Sequence, residues 1–285
     1  MVAVVTPNTK ARLWAGFDLT KGPLLMGIVN VTPDSFSDGG QFKGSSQAAV
    51  EHGLRLSEEG AHILDVGGES TRPGAIPVDR KEELRRILPV IEALAAQGKV
   101  VSVDTRHADV MREAVSAGAS IINDVCALQQ PKALEAAAEL RKPCILMHMQ
   151  GIPQTMQHRP QYRDVVDEVA QFLLDRVKAC KDAGIEADKL CIDPGMGFGK
   201  TVQDNLDLIN ASDCFVKSGY AVMIGASRKS SIAVLDRAVP AHERVAGTLA
   251  LHLRAFERGV QIFRVHDVAQ SRQFFNLLAA LEARK

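Results

Sequence analysis

MGIVNVTPDSFSDGG, residues 26–40, opens as an apolar run of strand length, reaches a single asparagine, Asn30, and then turns polar, small and turn-forming. Such a stretch reads as a buried strand that feeds a functional loop. The plan returns along the chain: HILDVGG (62–68) leads into ESTRPGA, and apolar runs recur at 100–105, 120–125, 143–149, 190–195, 221–227 and 261–267. Between them lie stretches with helical spacing of apolar residues. Helices are expected over 45–59, from Asp79 to Gly98, and over 107–117, 131–140, 163–182, 203–218, 241–258 and 268–284. Asp79, with Glu82 three residues on, reads as a helix cap, and the 163–182 segment places acids early and bases late, as the helix dipole favours.

Eight strands alternating with helices close most simply into a parallel (β/α)8 TIM barrel, here residues 24–285 behind an N-terminal extension and hairpin in 1–23. A doubly wound open sheet is the alternative. With 285 residues, 46% of them hydrophobic, the chain can bury a large core as one barrel domain. Acidic and basic residues balance at 34 each, so no nucleic-acid or membrane partner is expected and any anion site must be local. The five cysteines form no C-x-x-C pair, which argues against a disulfide framework and a structural zinc and for a reducing cytoplasm. No run is long enough for a signal-peptide core or a membrane span.

In a barrel of this kind, chemistry belongs at the C-terminal ends of the strands. Reading only those ends gives Asn30, Asp65, Asp104, Asn123, Met147 with His148, Asp193, Ser227 with Lys229, and Arg264 with His266. Burying an unpaired carboxylate costs several kcal/mol, so packing alone should not collect this set. On the last strand, side chains alternate, putting Ile262, Arg264 and His266 on one side and Phe263 and Val265 on the other. A guanidinium there suits phosphate oxygens; the bland alternative is a brace to Asp267 or another carboxylate.

IDPGMGFGKT (192–201) is not a phosphate loop, because Pro194 stands where the first glycine belongs, and Gly195, Gly197 and Gly199 miss the dinucleotide-binding spacing. The carboxylate of Asp193 can instead accept two parallel donors, with Phe198 covering a ring. Asp104, Asn123 and Asp193 suit the N–H-rich edge of an aminopyrimidinone ring, and Lys229 supplies a donor for the ring's acceptors unless it is simply solvated. Asn30 with loop carboxylates suits a hard Mg²⁺ shared with a diphosphate. His148 reads as a packed, hydrogen-bonded barrel residue rather than a catalyst.

Eight segments together resemble the dihydropteroate synthase family: NVTPDSFSDGG (30–40), ILDVGGESTRPGA (63–75), SVDT (102–105), IND (122–124), LMHMQG (146–151), DPGMGFGKT (193–201), SRKS (227–230) and RVHDV (264–268). The resemblance implies the barrel, a homodimer built on its later helices, and Mg²⁺. It implies condensation of 6-hydroxymethyl-7,8-dihydropterin diphosphate with 4-aminobenzoate to 7,8-dihydropteroate and pyrophosphate. It also implies that Asp104, Asn123, Asp193 and Lys229 hold the pterin with Met147 and Phe198 lining its pocket, and that Asn30, Arg264 and His266 hold the diphosphate, Asn30 also ligating the metal. Phe36, Ser37, Asp38, Thr71, Arg72 and Pro73 would come over the site on two mobile loops, with Ser230 on the aminobenzoate side. Asp38, Arg72, Lys229, Arg264 and His266 are the expected catalytic group. The alternatives are a pterin-binding methyltransferase, which does not need the diphosphate ligands, and an inactive pterin-binding paralogue, which should lack residues such as Asn30, Asp38, Arg72, Lys229 or His266. Asp204, Asn205 and the segment 232–246 depart from the family pattern, outside the motifs.

Overall fold

The computed structural model describes residues 12–32, 42–70, 74 and 77–283. Leu13–Trp14 (β1) and Phe17–Asp18 (β2) form a small antiparallel hairpin ahead of the main sheet. The sheet itself comprises Leu24–Asn30 (β3), Ile63–Gly67 (β4), Val101–Asp104 (β5), Ile121–Asp124 (β6), Cys144–Met147 (β7), Leu190–Asp193 (β8), Ala221–Ile224 (β9) and Ile262–Val265 (β10). These eight strands are all parallel and close into a barrel, because β10 pairs with both β9 and β3. The open-sheet alternative is thereby excluded.

Alternation along each strand divides its residues between two cores. Outward-facing Leu25, Val29, Leu64, Val66, Val103, Ile122, Leu146, Phe263 and Val265 pack against the surrounding helices in one large cluster. Inward-facing Met26, Ile63, Ile121, Ile145, Cys191, Met223 and Ile262 fill the barrel floor, where Trp14 and Leu19 from the hairpin seal it. Trp14 is almost wholly buried, and its indole N–H donates to the Lys189 carbonyl at 3.2 Å.

The helices are Phe42–Glu59 (α1), Arg80–Ala96 (α2), Ala108–Ser116 (α3), Ala133–Leu140 (α4), Val165–Asp182 (α5), Val202–Asn210 (α6), Ser212–Lys217 (α7), Ser230–Leu235 (α8), Val245–Glu257 (α9) and Val268–Glu282 (α10). Asp79 does cap α2, accepting from the Lys81 N–H, but Glu82 turns away to Arg85 and Arg86 instead of completing a box. The reciprocal box forms at α6, between Thr201 and Asp204, which gives the atypical Asp204 a structural role. The single helix expected over 203–218 is broken at Ala211: the Ser212 hydroxyl turns back onto the carbonyls of Leu208 and Ile209, competing with helix propagation. The helix expected from 241 starts at Val245 after a short 3₁₀ turn, Ala241–Glu243, and α8 had no counterpart in the periodicity because none of its residues is buried. Among the described residues, no helix is long and apolar enough to cross a membrane, and none of the five cysteines is in a disulfide.

Candidate active site

Parallel pairing fixes which strand ends meet. Asn30 pairs with Gly67, Gly67 with Asp104, and Asp104 with Asn123, so three polar side chains share one row at the barrel mouth. Gly67 leaves room in that row, since a Cβ there would stand 3.3 Å from the Cβ of Asp104. Arg264, inward-facing on β10 as the alternation requires, reaches across the barrel to two carboxylates. Its Nε donates to Asp65 Oδ2 at 2.6 Å and its Nη2 to Asp104 Oδ2 at 2.8 Å. The same Asp65 oxygen accepts from Asn123 Nδ2 at 3.1 Å. One guanidinium and two carboxylates thus form a buried chain, and breaking such a chain by removing one member is far more costly than its net worth.

Burial pushes the carboxyl of Asp104 upward, against the pull of Arg264, while Asp65 and Asp104 together keep the Arg264 guanidinium firmly charged despite its burial. On the opposite side, Asp193 is buried at the end of β8 and accepts the Gly195 N–H at 2.8 Å through one oxygen. Burial raises it to about 6, although the Gly195 N–H and the Lys229 and Lys200 ammonium groups favour its charged form. Lys229 lies 4.4 Å above the centre of the Phe198 ring and is lowered to about 8 by burial and by Arg264. Met147 and Phe198 pack together with Val125, Cys126 and Met149 in a small apolar cluster beside these charges. A flat polar rim of acceptors and donors therefore borders an apolar platform, the arrangement a heteroaromatic ring requires.

Beyond the row, His266 lies at the end of β10, where Ser227 Oγ is 3.0 Å from its Nδ1 and accepts its backbone N–H at 3.1 Å. Ser230 is exposed at the start of α8. With Lys229, Gly197, Lys200, Thr201 and Asn205 it lines a cavity of about 230 Å³ whose lining does not include Asp104, Asn123 or Arg264. Phe36, Ser37, Asp38, Thr71, Arg72 and Pro73 lie outside the described residues. Arg264 pairs with carboxylates, but with those of the mouth; Asp267 is taken by Arg228 in a two-pronged ion pair. His148 is buried and neutral, as expected of a packed residue, its imidazole lowered to about 3 by burial and by Lys200.

Two residues stand closer to this centre than the sequence suggested. Asp65 was one polar strand end among many; its inward parity with Ile63 was the available signal that it belongs with Arg264. Lys200, at the end of the 192–201 stretch, has no role in the sequence reading, yet it is buried behind Phe198.

A barrel mouth of this kind defines an enzyme that grips a flat, hydrogen-bonding ring, and residues 26–266 match the family described as pterin binding enzyme. Within that class the likeness is specific. A dihydropteroate synthase of Haemophilus influenzae is 49% identical over 249 residues, covering 87% of this chain and 90% of the relative. The crystal structure of Xanthomonas albilineans dihydropteroate synthase with 4-aminobenzoic acid superposes with a TM-score of 0.89 at 51% identity, covering 94% of this chain and 97% of that one. The same enzyme in complex with 7,8-dihydropteroate gives 0.85 at 49% identity, covering 94% of this chain and 96% of that one. This chain belongs to the dihydropteroate synthase family.

Proposed function

We propose that the protein joins 4-aminobenzoate to 6-hydroxymethyl-7,8-dihydropterin diphosphate, releasing pyrophosphate and forming 7,8-dihydropteroate, by a substitution in which ionisation comes first. The observation that carries this reading is Arg264 held between Asp65 and Asp104, with Asn123 on Asp65, facing Asp193 and Lys229 across one barrel mouth.

Asp193 and Asp104, with the Asn123 amide, would accept the N–H groups of the pyrimidinone edge, and Lys229 would donate to its carbonyl or ring nitrogen. Met147 and Phe198 would cover the faces. Arg264, His266 and Asn30 would hold the diphosphate. The carbon–oxygen bond to diphosphate breaks with both electrons going to the leaving oxygen, and the dihydropterin delocalises the positive charge left on its methylene. Buried carboxylates near the ring and fixed cations near the anion favour that charge separation without reorganisation during the step. The aminobenzoate nitrogen then bonds to the methylene and loses a proton, for which no strong base is needed. Asp38, Arg72 and their loops, with Phe36, Ser37, Thr71 and Pro73, would close over the arylamine, whose carboxylate end would lie toward Ser230.

Mg²⁺ fits this donor set in one specific sense. Asn30 offers a hard amide oxygen in the row with Asp104. That suits an ion that keeps its waters and takes the rest of its ligands from a phosphate. Bound there, it would supply charge neutralisation for the departing diphosphate.

A homodimer through the later helices is proposed as well: Val234 and Leu235 on α8, and Leu277 and Leu281 on α10, are large exposed apolar residues. The compartment proposed is the cytoplasm, in keeping with the free thiols. Incubating the purified protein with Mg²⁺, the pterin diphosphate and 4-aminobenzoate should release pyrophosphate and dihydropteroate in equal amounts, with a sulfonamide competing against aminobenzoate. Folded protein that yields neither product overturns the reading.

A further inference from the structure

Lys200 touches neither substrate in the chemistry above, where it only favours the charged form of Asp193, yet it is 2% exposed and sits directly behind the ring platform. Its ammonium donates to the Phe198 carbonyl at 3.0 Å, to His148 Nδ1 at 2.9 Å and to the His148 carbonyl at 3.4 Å. All three acceptors are neutral. A buried ammonium without a carboxylate in hydrogen-bonding reach is a poor way to stabilise a fold, because desolvation exceeds what neutral acceptors return. Burial lowers it to about 7, against the longer-range pull of Asp193.

The segments it joins are both parts of the site. His148 directly follows Met147 at the end of β7, and Phe198 carries the ring beneath the Lys229 ammonium. The 195–199 loop lies so close to the β7 end that only glycine fits: at Gly195 (φ +70°) a Cβ would collide with the His148 carbonyl, and at Gly199 (φ +63°) with that of Gln150. Other ties hold the rest of the loop, Tyr162 Oη donating to the Gly199 carbonyl at 2.7 Å and Gln157 Nε2 to that of Gly197 at 2.6 Å. The Phe198 carbonyl takes Lys200. One face of this loop carries Phe198 against the site, and the other, through Gly197 and Lys200, lines the cavity shared with Ser230.

We propose that Lys200 is a positioning residue: by tying the Phe198 backbone to the end of β7, it sets the ring and the Lys229 ammonium above it at the spacing needed to capture both substrates. This rests on the function proposed above. The loop is the shared wall between the pterin face and that cavity, so its displacement would be felt on both sides at once.

The test is steady-state kinetics of Lys200→Met, which keeps the stem and removes the three donors, and of Lys200→Arg, which keeps a cation and donors. Lys200→Met should raise KM for the pterin diphosphate and for 4-aminobenzoate by about tenfold each, the loss of one charge-assisted hydrogen bond's worth of binding. Its kcat should change much less and its melting temperature should not fall, while Lys200→Arg should recover part of both KM values. Unchanged KM values, or a Met variant that unfolds while the Arg variant shows wild-type KM values and a lowered melting temperature, would make Lys200 a structural post and overturn the proposal. A wild-type protein that makes no dihydropteroate refutes the functional reading; an active wild type with an indifferent Lys200→Met refutes only the role of Lys200.

Discussion

The two ends of the barrel are made by the same strands and could hardly differ more. Moving two residues along four of the strands, Ile63 gives way to Asp65, Ile121 to Asn123, Cys191 to Asp193 and Ile262 to Arg264. The floor is an apolar layer closed by Trp14, whose burial stabilises the molecule. At the mouth, positions of the same parity carry polar and charged groups that need partners to be buried at all. Chemistry is thus confined to one end, about the rise of two strand residues, roughly 7 Å along the strand, beyond a floor that contributes stability alone. Substitutions at the two ends should therefore fail in different ways.

The largest effect is expected at the mouth. Arg264→Ala removes the cation proposed for the leaving diphosphate and strands Asp65 and Asp104, both bonded to it. We expect kcat/KM to fall about 10³-fold, together with roughly 3–5 kcal/mol of stability. Full turnover with undiminished pyrophosphate affinity, read by kinetics and calorimetry, would break the division proposed here.

At the floor, Trp14→Ala should cost about 3–5 kcal/mol in denaturant unfolding, as for other large aromatic truncations, while leaving both KM values alone in the folded fraction. A shifted KM would mean that the ends are mechanically coupled.

Asp193→Asn sharpens the comparison with a smaller effect. The Asn carbonyl oxygen can still accept the Gly195 N–H that Asp193 Oδ1 now takes at 2.8 Å, so the loop can keep its path. What changes is the second oxygen, which becomes a donor where the pterin edge offers donors. Pterin affinity should drop by about 10²-fold with a melting temperature near wild type. Retained affinity would remove Asp193 from ring recognition.

How much of this the sequence reveals follows the same axis. The eight apolar runs fix the barrel because each is long enough to cross it, and the polar residue at the end of each run locates the mouth. Less legible is who pairs with whom: Asp65 meets Asn123 and Arg264 from 58 and 199 residues away, a relation that only closure of the barrel creates. Lys200 hides for a different reason, since its partners are two backbone carbonyls and one imidazole, and backbone acceptors leave no trace in residue identity. The break between α6 and α7 turns on one hydroxyl, Ser212, inside an otherwise regular helical pattern. Short α8, with no buried residue, offers no periodicity to read.

Between floor and mouth, the outer wall too holds buried polar groups that belong to neither end. His252 on α9 is fully buried against Phe263, ring centroids 5.0 Å apart, and neither of its nitrogens has a hydrogen-bond partner among the described residues. Burial lowers it from 6.5 to about 3, so the folded protein keeps the ring neutral where the unfolded chain would protonate it. With the folded value depressed, the unfolded state binds the extra proton between those two values. Stability from this site is therefore complete above about pH 6.5 and is lost as pH falls toward 3, by up to ~1.4 kcal/mol per pH unit. His148 titrates in the same direction, and its contribution is common to wild type and variant. His252→Leu should consequently widen its stability advantage over wild type by roughly 1 kcal/mol between pH 6.5 and 5.5, measured by denaturant unfolding, with unchanged kinetics. A gap that stays constant with pH would mean that the imidazole is paired in the folded protein; a changed KM would mean that the wall, too, reaches the mouth.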